Sequence, residues 1–324
     1  MRLLALIVVH VLAGVLCHGQ SFADLPEPAT YGSTIDVRTN IAFGEHDYQK
    51  LDLYLPAGAS SAPIIVCWFG GAFWGSDRTQ LASVAAYFAA HGFAAATPAY
   101  FLGTKDGSRS SWPRSVYDAK AAVRFVRANA PGLRVDPNRM VAFGYSSGAY
   151  LALMVGYTPN LLELEGPDGS LTTSSKVSAV IEVAGVCDRR RELGLPLGLL
   201  GRDYEDKYDL RVAASPIIYI GPNTVPTYIL HGWHDTVADV SSATQLAAAL
   251  DAAHVHHKRR LVDADHFPFN VEELRRMVEW LNKLTGSEAS TATKTNPKEP
   301  PDFRTQPRRR VSGPAGAASA RGSR

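Results

Sequence analysis

Three residue types, far apart in this chain, could together perform acyl transfer. The stretch Val141-Ala-Phe-Gly-Tyr-Ser-Ser-Gly-Ala-Tyr150 sets Ser146 between Gly144 and Gly148, where a short apolar segment runs into an Ala/Leu/Met-rich one. Gly-x-Ser-x-Gly can be a flexible loop, because Gly and Ser are common loop residues. It can also be a nucleophile elbow, a sharp strand-to-helix turn whose glycines let backbones pass where a Cβ would clash. A serine hydroxyl is a poor nucleophile unless a base takes its proton, and an imidazole base needs a carboxylate to hold its tautomer. Downstream, "VPTYILHG" leads into "WHDTVADV", which puts Asp235 just past a strand end. "KRRLVDA" leads into "DHFPF", which puts His266 in the following loop. Serine, acid and histidine in that chain order, each at a strand end, is an arrangement used on doubly wound α/β sheets.

Nearby groups compete for these roles. Asp239 lies four residues beyond Asp235 and further from the strand end, and Asp265 directly precedes His266, so its carboxylate is badly placed to reach the same ring. His231 reads as a satisfied core histidine and His234 as an exposed one. The cluster His254, His256 and His257 has no carboxylate companion at ligand spacing, so no metal is expected. Acyl transfer also needs donors for the tetrahedral oxyanion. The amide of Ser147, beside the nucleophile, is one candidate, and the Gly-rich "WFGGAFWGS" (68–76) offers those of Gly71 and Ala72. Phe73 and Trp74 are either core or pocket wall, and Tyr145 and Trp233, beside the serine and the acid, are further wall candidates.

The elements that must position these groups are legible between about Thr30 and Gly286. Solid apolar runs "APIIVCWFGG" (62–71), "GFAAATPAY" (92–100), "RMVAFG" (139–144), "VSAVIEVAGV" (177–186) and "VPTYILHG" (225–232) read as buried strands, with "LDLYLP" (51–56) as a hairpin strand. "TQLASVAAYFAAH", "SVYDAKAAVRFVRANAPG", "SATQLAAALDAA" and "VEELRRMVEWLNKL" read as helices, and "KRRLVDA" (258–264) as the last strand. Strands alternating with helices predict an α/β fold: a mostly parallel, doubly wound sheet with helices on both faces. Chemistry on such sheets gathers at the carboxyl ends of strands. Regions 157–176 and 187–215 are irregular and charged and read as loops or short helices over the site.

Composition sets the remaining bounds. The chain has 324 residues, 46% hydrophobic and 20% charged, as ordinary globular proteins do. Residues 1–23 begin with one Arg, an apolar run and small residues, the pattern of a secretory signal with cleavage after Gly19 or Ala23. The run is too short and too closely followed by polar residues for a membrane span, and none remains after cleavage, so a secreted or periplasmic location is expected, with an uncleaved anchor as the alternative. After cleavage Cys67 and Cys187 remain, both in apolar contexts that read as buried free thiols. Residues 287–324 hold eight Lys/Arg against three Asp/Glu, so the basic balance belongs to this Pro/Ser/Gly-rich tail, which reads as disordered. "PRRR" could touch an anionic surface, but a passive solvated tail is the reading taken, and no nucleic-acid partner is expected.

With these motifs in hand, the chain resembles α/β hydrolases of the hormone-sensitive-lipase and feruloyl-esterase-like branch, which includes BD-FAE-like carboxylesterases and kynurenine formamidases. "WFGGAFWGS" resembles that branch's His-Gly-Gly loop, and "YDAKAAVRFVRANAPGLRVDPNRMVAFGYSSGAYLA" its helix, Asp-Pro-x-Arg turn and elbow. "SPIIYIGPNTVPTYILHGWHDTVADV" is similar to its Ser-Pro…His-Gly-x-x-Asp segment, and "DADHFPF" to its Gly-His-Gly-Phe loop. The resemblance covers about residues 35–285 and implies an α/β-hydrolase fold with a small loop-built cap, with Ser146 as nucleophile, Asp235 as acid and His266 as base. Phe69 departs from the family's His, Ser147 and Ala149 from its Ala and Gly, and Asp239 from its Pro. Support for the oxyanion loop is therefore expected from packing rather than an imidazole. The resemblance implies a carboxylesterase acting through an acyl-enzyme without metal or organic cofactor, on small-molecule or polysaccharide-linked esters. Amide cleavage by the same geometry, formamidase-like or peptidase-like, and a non-catalytic binding protein on this scaffold are the alternatives. Cutting the chain after Gly286 is expected to leave activity intact; a large loss in a direct assay of the shortened chain would refute the passive reading of the tail.

Overall fold

The computed structural model describes residues 21–169, 171–190, 197–202 and 207–284. The expected signal, up to residue 20, and the basic tail lie outside the described residues. Eight strands form one sheet: β1 (Ile35–Ala42), β2 (Lys50–Pro56), β3 (Ala62–Trp68), β4 (Ala94–Pro98), β5 (Val135–Tyr145), β6 (Ala179–Val183), β7 (Thr227–Gly232) and β8 (His257–Val262), in the spatial order β1-β2-β4-β3-β5-β6-β7-β8. The first two strands pair antiparallel, β2 also runs antiparallel to β4, and every pair from β4 to β8 is parallel.

Parallel strands covered on both faces cannot alternate, and β4, β6 and β7 are buried at every residue. The edge strand β1 is mostly exposed, so it lacks the apolar run that marks the central strands. Helices α1 (Ala82–Ala90), α2 (Arg114–Ala128), α3 (Ser147–Tyr157), α4 (Ser241–Ala252) and α5 (Val271–Leu284) pack on the sheet. Every residue of α3 is buried, which explains its unbroken apolar sequence. By contrast α5 buries Leu274, Met277, Val278 and Leu281, one stripe at helical spacing. Cys67 and Cys187 are free and buried.

The strand order decides where a site can form. From β3 the chain first adds β4 on one side, then returns to add β5, β6, β7 and β8 on the other. The order therefore reverses between β3 and β5, and such a switch point opens a crevice at the carboxyl ends of the strands. The loop after β3 is "FGGAFWGS" and the turn after β5 holds Ser146. The short helix Leu197–Leu200 joins the cover here: Ser111 and Trp112 donate their N–H groups to the Gly198 and Leu199 carbonyls.

A buried ionic group fixes the far end of α3. Lys120 Nζ donates to the Thr158 carbonyl just past that helix and to Glu165 Oε1 at 2.9 Å. Arg124 Nη1 and Ser175 Oγ also donate to the Glu165 carboxylate. Removing the anion leaves two buried cations unpaired, which costs about 3–5 kcal/mol. Glu165→Ala is expected to lower stability by that amount in urea unfolding; a loss below about 1 kcal/mol would contradict the role given to the cluster.

Candidate active site

The elbow is a one-residue turn. Strand β5 ends at Tyr145 and α3 begins at Ser147, leaving Ser146 at φ 54° and ψ −118°, a strained conformation for a residue with a Cβ. Its N–H donates to the Val183 carbonyl at the end of β6, 2.8 Å away. Both flanking glycines are required by close approach. A Cβ on Gly144 would lie 2.0 Å from the Gly148 carbonyl oxygen, and one on Gly148 would lie 2.0 Å from that of Trp68.

The two distant partners expected from the sequence meet this serine. His266 Nε2 lies 2.9 Å from Ser146 Oγ, and His266 Nδ1 lies 2.7 Å from Asp235 Oδ2. Asp235 follows β7 and His266 follows β8, adjacent parallel strands, so the acid and the base come from neighbouring loops. The carboxylate is well supplied with donors. Its Oδ1 accepts the N–H groups of Val237 and Ala238, each at 2.8 Å. Burial would raise this carboxyl, but the hydrogen bonds from His231 and His266 and the adjacent imidazole charge outweigh it and hold it well below the usual carboxylate range.

The competing groups go elsewhere. Asp239 accepts the Ser241 N–H at the start of α4, and Asp265 accepts the Phe267 N–H. His234 is exposed and pairs with Asp263 at 2.8 Å. The ring of His256 stacks on Trp280, and His257 lies beside the Val255 carbonyl, so these two histidines do not converge on one point.

One expectation changes. His231 is buried as a core histidine should be, yet it also touches the acid. Its Nε2 lies 2.7 Å from the Ala238 carbonyl and 3.1 Å from Asp235 Oδ2. A carbonyl only accepts, so Nε2 carries a proton and points it at both oxygens. Behind it stands Glu182, opposite Ile229 in the β6/β7 register and thus on the sheet face that His231 shares. Burial pushes the Glu182 carboxyl up to about 7 against the pull of His231 and of the Gly185 N–H. His231 is itself raised: burial opposes its charge, but Asp235 and Glu182 more than compensate.

The oxyanion loop is held by more than packing. Tyr100 stacks on Phe69 with ring centroids 4.4 Å apart, and its hydroxyl donates to the Phe69 carbonyl at 2.9 Å. Ser147 Oγ lies 3.3 Å from Tyr100 Oη and supplies the proton of that contact, since the tyrosine's own goes to Phe69. Gln80 Oε1 accepts the Gly70 N–H at 2.8 Å. A tyrosine and a glutamine therefore do the work expected of packing alone. Gly70 lets the loop close on the elbow: a Cβ there would lie 3.0 Å from that of Ser146. Among the described residues the amides of Gly71 and Ala72 donate to no protein acceptor. The Ser147 amide opens α3, where the first N–H groups have no partner within the helix.

The wall candidates separate. Tyr145 is buried with its ring 5.4 Å from that of His266. Phe73 is 1% exposed and packs edge-on against Tyr150 in the core. Trp74 is half-buried with Lys105 over its ring, and Trp233 is 56% exposed.

The BD-FAE family model matches residues 51–250. The chain belongs to the BD-FAE family. It is 28% identical over 229 residues to the esterase LipC of Mycobacterium tuberculosis, a match covering 66% of this chain and 55% of LipC. The chain thus spans about half the length of the curated relatives it matches. Esterase 2 of Thermogutta terrifontis, phosphorylated by paraoxon, superposes with TM-score 0.62 at 27% identity over 78% of this chain and 94% of the esterase. A truncated carbohydrate esterase from gut microbiota shares the fold at TM-score 0.72 and 24% identity, over 79% of this chain and 98% of the esterase. The BD-FAE chain has the α/β-hydrolase fold.

The Glu182–His231 pair sets a pH signature. A carboxyl raised by burial binds its proton more tightly folded than unfolded, so it takes away stability as pH rises from 4.5 to about 7. Glu182→Gln is expected to remove this loss, gaining on the wild type by up to about 3 kcal/mol across that window. Urea midpoints at a series of pH values measure it; parallel curves for the two proteins would contradict the assignment.

Proposed function

We propose that this protein is an exported serine carboxylesterase working through an acyl-enzyme. The observation that carries the reading is the unbroken hydrogen-bonded line from Ser146 Oγ through His266 to Asp235, at 2.9 and 2.7 Å. His266 Nε2 removes the hydroxyl proton as Oγ attacks the ester carbonyl. Asp235 holds the ring with Nδ1–H toward itself and stabilises the imidazolium. The developing oxyanion sits against the amides of Gly71, Ala72 and Ser147; losing one such donor costs about 3–4 kcal/mol of barrier. His266 then gives the proton to the departing alcohol. Water enters, the same base activates it, and the acid is released with Ser146 restored.

Esterase names among the relatives support ester over amide cleavage, and the paraoxon adduct of the Thermogutta esterase supports a reactive nucleophile in this fold. The N-terminal signal pattern and the aromatic residues around the oxyanion loop support extracellular esters, acyl groups on plant-derived or polysaccharide material among them. The carbohydrate esterase neighbour is consistent with such substrates.

An acyl-chain series of p-nitrophenyl esters, run beside N-formylkynurenine and aminoacyl anilides, tests the reading. Ester turnover is expected to exceed amide turnover. Ser146→Ala is expected to lower kcat by at least about 10⁴-fold, and Asp235→Asn by a similar factor through loss of the tautomer. A Ser146→Ala enzyme as fast as wild type would overturn the mechanism, and amides cleaved faster than esters would overturn the substrate class.

A further inference from the structure

One ring beside the nucleophile comes from far up the chain. Phe22 opens the short turn Phe22–Asp24, in which Ser21 Oγ accepts the Ala23 N–H and Asp24 Oδ2 accepts the Ser21 N–H. Its ring meets Phe267 at 4.5 Å and 85°, Tyr145 at 5.6 Å and 83°, and Phe269 at 5.3 Å. Three residues on, Leu25 is 3% exposed and lies in the core. Tyr145 immediately precedes Ser146, and Phe267 immediately follows His266. Phe22 therefore touches a neighbour of the nucleophile and a neighbour of the base with one side chain.

The loop carrying the base is fixed by side chains rather than by its backbone. Among the described residues, Asp265 to Phe269 take part in no backbone–backbone hydrogen bond. Pro268 has no N–H, and the Phe267 N–H is taken by the Asp265 side chain within the same loop. Beyond the bonds of the His266 ring itself, this loop is anchored by aromatic packing: Phe267 edge-on against Phe22 and Tyr145, and the buried Phe269 edge-on against Tyr145 and tilted against Phe22 and Phe143. Rings in edge-to-face contact resist sliding, so such a cluster fixes orientation as well as burial.

We propose that Phe22 is a positioning residue that clamps the His266 loop to the elbow, so that the segment starting at Ser21 is part of the working active site. This rests on the hydrolase reading above. It also separates the two leader cuts that the sequence allows. A cut after Gly19 keeps the clamp with its Ser21–Asp24 cap, whereas a cut after Ala23 discards both. Full activity belongs to a mature chain that retains Phe22.

The test uses the full chain, produced with its leader in a secreting host, beside Phe22→Ala and Phe22→Tyr. Thermal midpoints, the N-terminal mass of the secreted protein, and kcat and KM for p-nitrophenyl acetate are measured. Assays are run well below each midpoint, so that all molecules are folded. Misplacing a base by a fraction of an ångström lowers the rate without weakening substrate binding. Phe22→Ala is therefore expected to lose about tenfold in kcat with KM little changed, and Phe22→Tyr, which keeps the ring, to recover it. The secreted wild type is expected to begin before Phe22. An active wild type matched in kcat by Phe22→Ala, or a fully active mature chain beginning at Asp24, overturns this proposal alone. A wild type inactive on the ester overturns the hydrolase reading with it.

Discussion

Everything at this site depends on one buried carboxylate. Asp235 is taken out of water at a strand end, and its oxygens collect two backbone amides and two imidazole nitrogens. An anion so well supplied stays an anion, and an anion so confined has one orientation. His266 inherits that orientation: with Nδ1 committed to Asp235, its Nε2 faces Ser146. The serine needs no further adjustment, because the strained elbow aims its side chain before any substrate arrives. The cost of burying Asp235 is offset by its donors, His231 and His266 among them; Glu182, behind His231, favours the charge on that ring but repels Asp235.

Topology brings these groups together. The strand order reverses between β3 and β5, so the loops that follow these strands flank one crevice. One contributes the nucleophile and the other its free amides, while β7 and β8 extend the sheet far enough to deliver the acid and the base. Close packing at this switch point requires missing side chains: at Gly144 and Gly148 the omission lets one backbone lie directly on another, and at Gly70 it makes room for the Tyr145 ring and the Ser146 Cβ. The loops are then locked by polar contacts from outside the motif, with Tyr100 and Gln80 acting on the oxyanion loop and the Val183 carbonyl on the elbow.

The parts that could be read in the sequence are those whose signal is local. Central strands buried on both faces are solid apolar runs, so the ends of β5 and β7 stand out, and with them Ser146 and Asp235; β8, at the other edge, is marked instead by a short basic-to-apolar segment between two helices, which places His266. The edge strand β1 does not stand out, since an exposed strand carries few apolar residues to mark it. His231 is legible in the sequence as a core residue but not as a partner of the acid. Its contact with Asp235 follows from a four-residue turn, and that spacing was the available clue. Tyr100 lies 31 residues from Phe69 and 47 from Ser147, and only the pairing of β4 beside β3 brings it to the oxyanion loop. Glu182 carries no local signal of its role, because its partner is on the next strand. Phe22 fell inside the stretch read as a leader, where composition overrides any packing signal.

The central claim is that acyl transfer passes through Ser146. The most direct test is acid quenching during turnover of p-nitrophenyl acetate, followed by mass spectrometry of the peptides. The account predicts an acetyl group on the peptide bearing Ser146, present in the steady state and gone once substrate is exhausted. Turnover with no adduct on that peptide, or with the acetyl group on another residue, would contradict it.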